Sequence, residues 1–300
     1  MESEVGKKAG AARNSVAGGG VATGDVGIDP NAVYSLGASC GESERLRRQA
    51  DELAPDDEAL LDRVELAPSD SAIDLGCGPR GTIELLHARV SPRGRVVGLD
   101  SDSAHVEMAA EFVSKRGLDG VEVVVGGARS TGLPGDAFDL VHARTLLINV
   151  PEPEKVLAEM VRLARPGGWV ASLEPDCEHS IHYPQHAALD RVHELFMVAF
   201  SRNGADPLIG RRLGALYRQA GLEEVGVDAR AAVYPAGHSR RTIVVDLVRA
   251  MRPQILALGA ADERELDELD ATARRHLDNP DVVAMDHVRF LAWGRRPSAA

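Results

Sequence analysis

Between positions 72 and 81 the chain reads Ala72-Ile73-Asp74-Leu75-Gly76-Cys77-Gly78-Pro79-Arg80-Gly81: three glycines directly after a short apolar run, with an acid two positions before the first. The run Ser71-Ala72-Ile73-Asp74-Leu75 reads as a short buried strand and residues 82–89 as a helix, so the glycines occupy a strand-to-helix turn. Such a turn needs positive φ and close backbone approach, which glycine supplies without steric cost. A second strand, from Arg95 to Leu99, ends in Asp100, 24 residues beyond Gly76, where a carboxylate can accept both hydroxyls of a ribose. The pattern is that of a loop for a nucleoside-bearing cofactor.

Glycine spacing alone also fits the pyrophosphate loop of NAD enzymes, in which a helix N-terminus faces phosphate. Asp74 opposes that reading: it sets a negative charge beside the phosphates, whereas a cofactor carrying an ammonium group gains from a carboxylate there. About seventy residues precede the loop, enough for a segment that closes over a cofactor. The stretch from Val288 to Gly294 reads as one more strand, which a dinucleotide domain does not need. An NAD-type oxidoreductase remains the alternative.

The middle of the chain alternates strand and helix. Strand-like runs at 121–125, 138–142 and 169–173 are separated by turn residues Pro134-Gly135-Asp136, a helix over 152–164 and the turn Arg165-Pro166-Gly167-Gly168. Parallel strands joined by helices give a doubly wound sheet, with the ligand at the carboxyl ends of the strands near the reversal of strand order. His142, Arg144 and Thr145, then Glu174, Pro175 and Asp176, are expected at the mouth of the site. A helix over 185–202 carries Leu189, Val192, Phe196 and Phe200 on one face. Such a stripe is ordinarily core, but its place after the fifth strand makes Phe196 and Phe200 candidates for lining an acceptor pocket. A helix over 210–221 and a strand over 222–234 follow, then helices over 239–258, with a kink expected at Pro253, and 262–277.

The cluster Cys177, Glu178, His179, His182 and His186 has ligand-type side chains, but its spacings match no standard zinc pattern and Pro184 interrupts any helix that would align them. The expectation is no metal and a polar loop, with one histidine serving as base or substrate contact.

These motifs together resemble the class I S-adenosylmethionine-dependent methyltransferases. Asp74-Leu75-Gly76-Cys77-Gly78 is similar to that family's glycine-rich first motif, Gly98-Leu99-Asp100 to its ribose-binding acid, and Arg165-Pro166-Gly167-Gly168-Trp169-Val170 to the turn into its fifth strand. Trp293-Gly294-Arg295-Arg296-Pro297 resembles the last strand of a bacterial small-molecule branch, and Tyr34-Ser35-Leu36-Gly37-Ala38-Ser39 its leader. The likeness implies a Rossmann-like, mostly parallel seven-stranded α/β sheet with an N-terminal helical leader and an inserted helical cap, and S-adenosylmethionine as cofactor. It implies cofactor contacts from Tyr34, Ser39 and Arg45 in the leader, from Asp74, Gly76, Cys77 and Gly78 in the loop, and from Asp100, Ser101, Gly127, Ala128 and Arg144 beyond it. The chain departs from the family once: where a Gly-Asp usually follows the third strand, it has Gly126-Gly127-Ala128, so the side-chain acceptor for the adenine amino group is missing, with Arg129 or Ser130 as substitutes.

Methyl transfer from a sulfonium is an in-line displacement governed by orientation. A base is needed only if the acceptor loses a proton, and Glu174, His142 and His179 are the candidates. The expected acceptor is a small, largely apolar natural-product-type molecule, prenylated or terpenoid, methylated at carbon or oxygen. A non-catalytic cofactor-binding regulatory module is the second alternative. A formal net charge of −12 without a basic tract argues against nucleic acid. Cys40, Cys77 and Cys177 are too few for a disulfide framework, and no apolar stretch approaches 18 residues, which suggests a cytoplasmic protein that does not enter the membrane. The expected layout is a disordered tail over 1–30, a helical lid over 31–66, the cofactor-binding core over 67–176 and a cap helix over 177–209. Core completion over 210–238, a helical cap over 239–285 and a final strand over 286–297 follow, and self-association is expected through the leader or the cap.

Overall fold

Side-chain alternation along the strands decides which face each residue serves. In the computed structural model, which describes residues 40–202 and 204–298, seven strands lie in the order β3-β2-β1-β4-β5-β9-β7. These are β1 (Ser71–Leu75), β2 (Arg95–Asp100), β3 (Val121–Val125), β4 (Phe138–Arg144), β5 (Ala164–Asp176), β7 (Glu223–Arg230) and β9 (Val288–Arg295). The first five pair in parallel, and β9 enters antiparallel between β5 and β7. On one face Ala72, Leu140, Ala171, Leu173 and Leu291 pack with the buried residues of α1 (Cys40–Leu61) and α2 (Ile83–Val90), with Ala109 of α3 (Ser103–Arg116) beside them. On the other, Ile73, Leu75, Val141, Ala143 and Val170 pack with α4 (Pro153–Leu163) and α6 (Ile209–Gln219). Residues two apart in a strand thus share a face.

Local signals fix the helix ends. The Asp102 carboxylate accepts the Ala104 N–H at the start of α3, and Gly117 closes that helix at φ +62°. Beyond the sheet, α5 (Ala187–Ser201), α7 (Ile243–Ala250), α8 (Arg252–Ala257) and α9 (Glu263–Leu277) build a helical cap, joined by a two-stranded sheet of β6 (Ile181–Tyr183) and β8 (Val283–Met285).

Three sequence expectations change. The segment 239–258 is not one kinked helix: a 3-10 turn at Ser239–Thr242 leads into α7, which ends at Ala250, and α8 starts afresh with Pro253 in its first turn. There the missing proline N–H costs nothing, so a break is cheaper than a kink. The strand expected over 222–234 is confined to β7, and the β6–β8 pair was not anticipated because three-residue strands carry no periodicity. The leader residues Tyr34 and Ser39 lie outside the described residues. Strand order reverses between β1 and β4, and the carboxyl ends of these strands open there.

Candidate functional site

A cavity of about 720 Å³ lies at that reversal. Its floor is the glycine loop. The N–H groups of Gly76 and Cys77 donate to the Leu99 carbonyl at 2.7 and 3.0 Å, stitching the loop to β2. Asp74, almost fully buried, accepts the Thr82 N–H at 2.8 Å through Oδ2. Gly81, at φ +55°, passes so close that a Cβ would stand 2.3 Å from that oxygen. The loop therefore wraps around Asp74, whose other oxygen lies 2.9 Å from His142 Nδ1.

Period two along β4 sends Leu140 into the core and His142 and Arg144 toward α1. There Asp57 receives the Arg144 guanidinium and places Oδ1 3.7 Å from His142 Nε2. Burial raises the Asp57 carboxyl, opposed by Arg144 and His142. A buried chain of polar side chains thus links the glycine loop to the helix that covers it. From the same helix Arg45 lines the cavity and donates to Gln49 Oε1 at 2.6 Å, and Gln49 in turn donates to Thr145 Oγ1 at 3.2 Å.

Asp100, at the end of β2, accepts the Gly78 N–H at 2.8 Å and the Asp102 N–H at 2.9 Å. Each carboxylate oxygen retains a lone pair, and the side chain lines the cavity, as a ribose acceptor must. Ser101, Gly127 and Ala128 line the wall beyond it, with Arg129 and Ser130 alongside. One end of the cavity thus offers carboxylates for an ammonium and a ribose, arginines for a carboxylate, and the third-strand turn for a base. That donor and acceptor set fits an aminoacyl nucleoside.

The other end is apolar. Phe196 and Phe200 of α5, their rings stacked at 5.2 Å, face it together with Ile243 and Leu247 of α7. Of the sequence candidates, Asp74, Gly76, Cys77 and Gly78 meet Asp100, Ser101, Gly127 and Ala128 in this one cavity. Arg45, Arg144, Phe196 and Phe200 join them.

The three acid–base candidates do not. Glu174 is fully buried and points away from the cavity: Oε1 accepts the N–H groups of Leu146 and Leu147 at 2.9 and 2.8 Å, and Oε2 accepts that of Ile148 at 3.1 Å. Burial pushes this carboxyl up to about 8, against the pull of the three N–H groups. Its job is to hold the turn after β4. His142 is equally buried, beneath the loop rather than at the mouth. His179 is on an exposed loop, 3.7 Å from Glu178, and does not line the cavity. Alternation explains the misplacement: Leu173 lines the cavity, so Glu174 turns to the opposite face.

At the apolar end sequence reasoning did not anticipate Arg240, Ile243, Leu247, His287 or Arg289, and it weighed Cys177 only within a cluster of metal-ligand type. His287 is buried, stacks on Phe196 at 5.5 Å and places Nδ1 3.4 Å from Cys177 Sγ. Burial holds its imidazole down to about 4 and raises the Cys177 thiol, so both are neutral near pH 7. Arg289 carried a readable signal, a charge on the face of the last strand that also bears Leu291. Arg240 carried none. Among the described residues no three His, Cys, Asp or Glu side chains are placed to hold a metal ion, and no helix is long and apolar enough to cross a membrane.

Residues 73–172 match the model of a family described as "Methyltransferase domain". The chain is 34% identical over 236 residues to an uncharacterized 37.1 kDa protein in transposon TN4556 of Streptomyces fradiae, covering 74% of this chain and 65% of that protein. It is 32% identical over 177 residues to a demethylmenaquinone methyltransferase of Bacillus cytotoxicus, covering 55% of this chain and 74% of the relative. Across the first three curated relatives it matches, the chain spans 65%, 54% and 48% of their length. A putative methyltransferase from Bacillus halodurans shares the fold, with a TM-score of 0.54 at 16% identity over 80% of this chain and 98% of the other.

Proposed function

This chain belongs to the class I S-adenosylmethionine-dependent methyltransferases, and on that premise we propose that it transfers a methyl group to a small, largely apolar acceptor at carbon or oxygen. One observation carries the reading: a single cavity runs from the glycine loop to a lobe walled by Phe196, Phe200, Ile243 and Leu247. Several relatives are named demethylmenaquinone methyltransferases, which supports a small-molecule acceptor. A prenylated or terpenoid natural product suits the lobe's apolar walls.

The bound cofactor supplies an electrophilic methyl on a sulfonium. In this reading Asp100 holds the ribose, the Asp74-braced loop and Arg45 hold the aminoacyl end, and the turn at Gly127 and Ala128 holds the base. Phe196 and Phe200 orient the acceptor and exclude water, which is where most of the acceleration of such a displacement originates. Glu174, His142 and His179, the bases expected from sequence, take no part in proton transfer in this scheme, because none lines the cavity. We place the enzyme in the cytoplasm. Its self-association would use the cap side, where Ile181, Tyr183, Val233 and Val283 are exposed.

The test is incubation of the purified protein with methyl-labelled S-adenosylmethionine and a panel of phenols, quinols, terpenoid alcohols and polar amines. Label in organic-extractable products of the first three classes is expected. Label only in polar amines, or in none, contradicts the reading.

A further inference from the structure

The apolar lobe has one polar corner. Asp286, buried between β8 and β9, accepts Arg240 Nε at 2.8 Å and also Arg240 Nη2 through Oδ2, and accepts Arg289 Nη1 at 2.7 Å through Oδ1. Arg289 is further fixed by Asp56 of α1, through Nε. Both guanidinia are over nine-tenths buried, at 7% and 4% exposure, and both side chains line the cavity. Register places Arg289 opposite Pro175 at the carboxyl end of β5, on the rim where an acceptor must approach the cofactor end.

Neither guanidinium is used up by these contacts. The Arg240 Nη1 group has only the Glu52 carboxylate at 3.9 Å, too long for a hydrogen bond, and Arg289 Nη2 has no partner among the described residues. On side chains this buried, which reach open space at the cavity wall, spare N–H groups call for an acceptor in the cavity. The signs of the lining groups are also segregated: the carboxylates that line the cavity are Asp74, Asp100 and Asp102, all on the glycine loop and β2 side. None stands beside Arg240 and Arg289. A guanidinium donates and cannot accept, so what it meets must offer lone pairs.

We propose that Arg240 and Arg289, held in place by Asp286, form an oxygen-recognising subsite that receives a hydroxyl, enol or carbonyl oxygen, or its anion, from an otherwise apolar acceptor and turns cationic amines away. The inference rests on the apolar-acceptor reading and narrows it. Because Asp286, Asp56 and Glu52 balance these two arginines together with Arg230, which also meets Asp56 at 3.1 Å, recognition comes from aimed N–H groups rather than from net charge. An ammonium in this lobe would be desolvated beside two guanidinia with no carboxylate on the wall to receive it.

The experiment uses the full chain saturated with S-adenosylhomocysteine and three probes of one shape, 1-naphthol, naphthalene and 1-naphthylmethylammonium, followed by their own fluorescence. The expected result is that 1-naphthol binds at least tenfold more tightly than naphthalene and that the ammonium binds more weakly than either. Arg240→Gln should bring 1-naphthol to the level of naphthalene while leaving naphthalene and S-adenosylhomocysteine affinities within twofold, and Arg240→Lys should recover part of the preference. Equal binding of naphthol and naphthalene overturns the subsite and leaves the apolar-acceptor reading standing. Tightest binding of the ammonium, or no binding of any probe to the cofactor-loaded protein, overturns both. Should Arg240→Gln fail to bind S-adenosylhomocysteine, and so be misfolded, the wild-type preference among the probes decides alone.

Discussion

Asp100 ties down its own loop while facing the cavity, since it accepts the Gly78 and Asp102 N–H groups. Asp100→Ala therefore removes both the proposed ribose acceptor and a tether of the glycine loop. S-adenosylmethionine affinity should fall by about 1–3 kcal/mol in calorimetry; unchanged affinity would show the ribose assignment to be wrong. Glu174 makes a prediction of another kind. Burial lifts its folded value to about 8, above the 4.5 of a free glutamate, so between those values the folded state holds a proton that the unfolded chain has released. Its contribution to stability is complete below about pH 4.5 and is lost as pH rises through about 8, at no more than about 1.4 kcal/mol per pH unit. Urea unfolding of wild type and Glu174→Gln at pH 5, 6.5 and 8.5 should show that decline in wild type only; parallel curves would refute it. At this scale the residues lining the loop end of the cavity were legible because glycines after a strand and an acid after the next strand each have one backbone or ligand reason to be there. The acid–base residues were not, because a sequence places Glu174 at a strand end without saying which face it takes.

Helix α1 is attached to the sheet by charges as well as by Leu53, Leu60 and Leu61. Asp57 meets Arg144 of β4, and Asp56 meets Arg289 of β9. Asp57→Ala leaves the Arg144 guanidinium and His142 buried without that partner. It should cost about 3–5 kcal/mol of unfolding free energy by chemical denaturation; a loss under 1 kcal/mol would mean that the network does not hold α1 to the sheet. In α5, Phe196→Ala opens space between Phe200 and His287, and about 3–5 kcal/mol of stability should go with it, along with acceptor binding. Wild-type stability in this variant would remove Phe196 from the cap's core. Elements were readable where alternation or apolar periodicity ran for five residues or more, as in β1 to β5 and α5. They were misread where packing chose between equal local options, as at Pro253, where a new helix start replaced the expected kink.

Across the whole molecule, strand order accounts for the site. Reversal between β1 and β4 opens the carboxyl ends of both strands, the antiparallel β9 returns Arg289 to the same rim, and the inserted helices roof what would otherwise be an open groove. The loop end of the cavity from Asp74 to Asp100 spans 26 residues and could be read from spacing, whereas Arg45, Gly127 and Ala128 reach it from farther along the chain. The apolar half joins Cys177, Phe196, Arg240 and His287 from distant parts of the chain, and only the closed fold brings them together. The central claim is that one cavity carries a cofactor on the glycine loop and directs its reactive end at the lobe under the cap. The most direct measurement is a crystal structure of the protein with S-adenosylhomocysteine. The account predicts the ribose on Asp100 and the sulfur open toward Phe196 and Phe200; a sulfur turned to solvent, or the compound bound away from the loop, would contradict it.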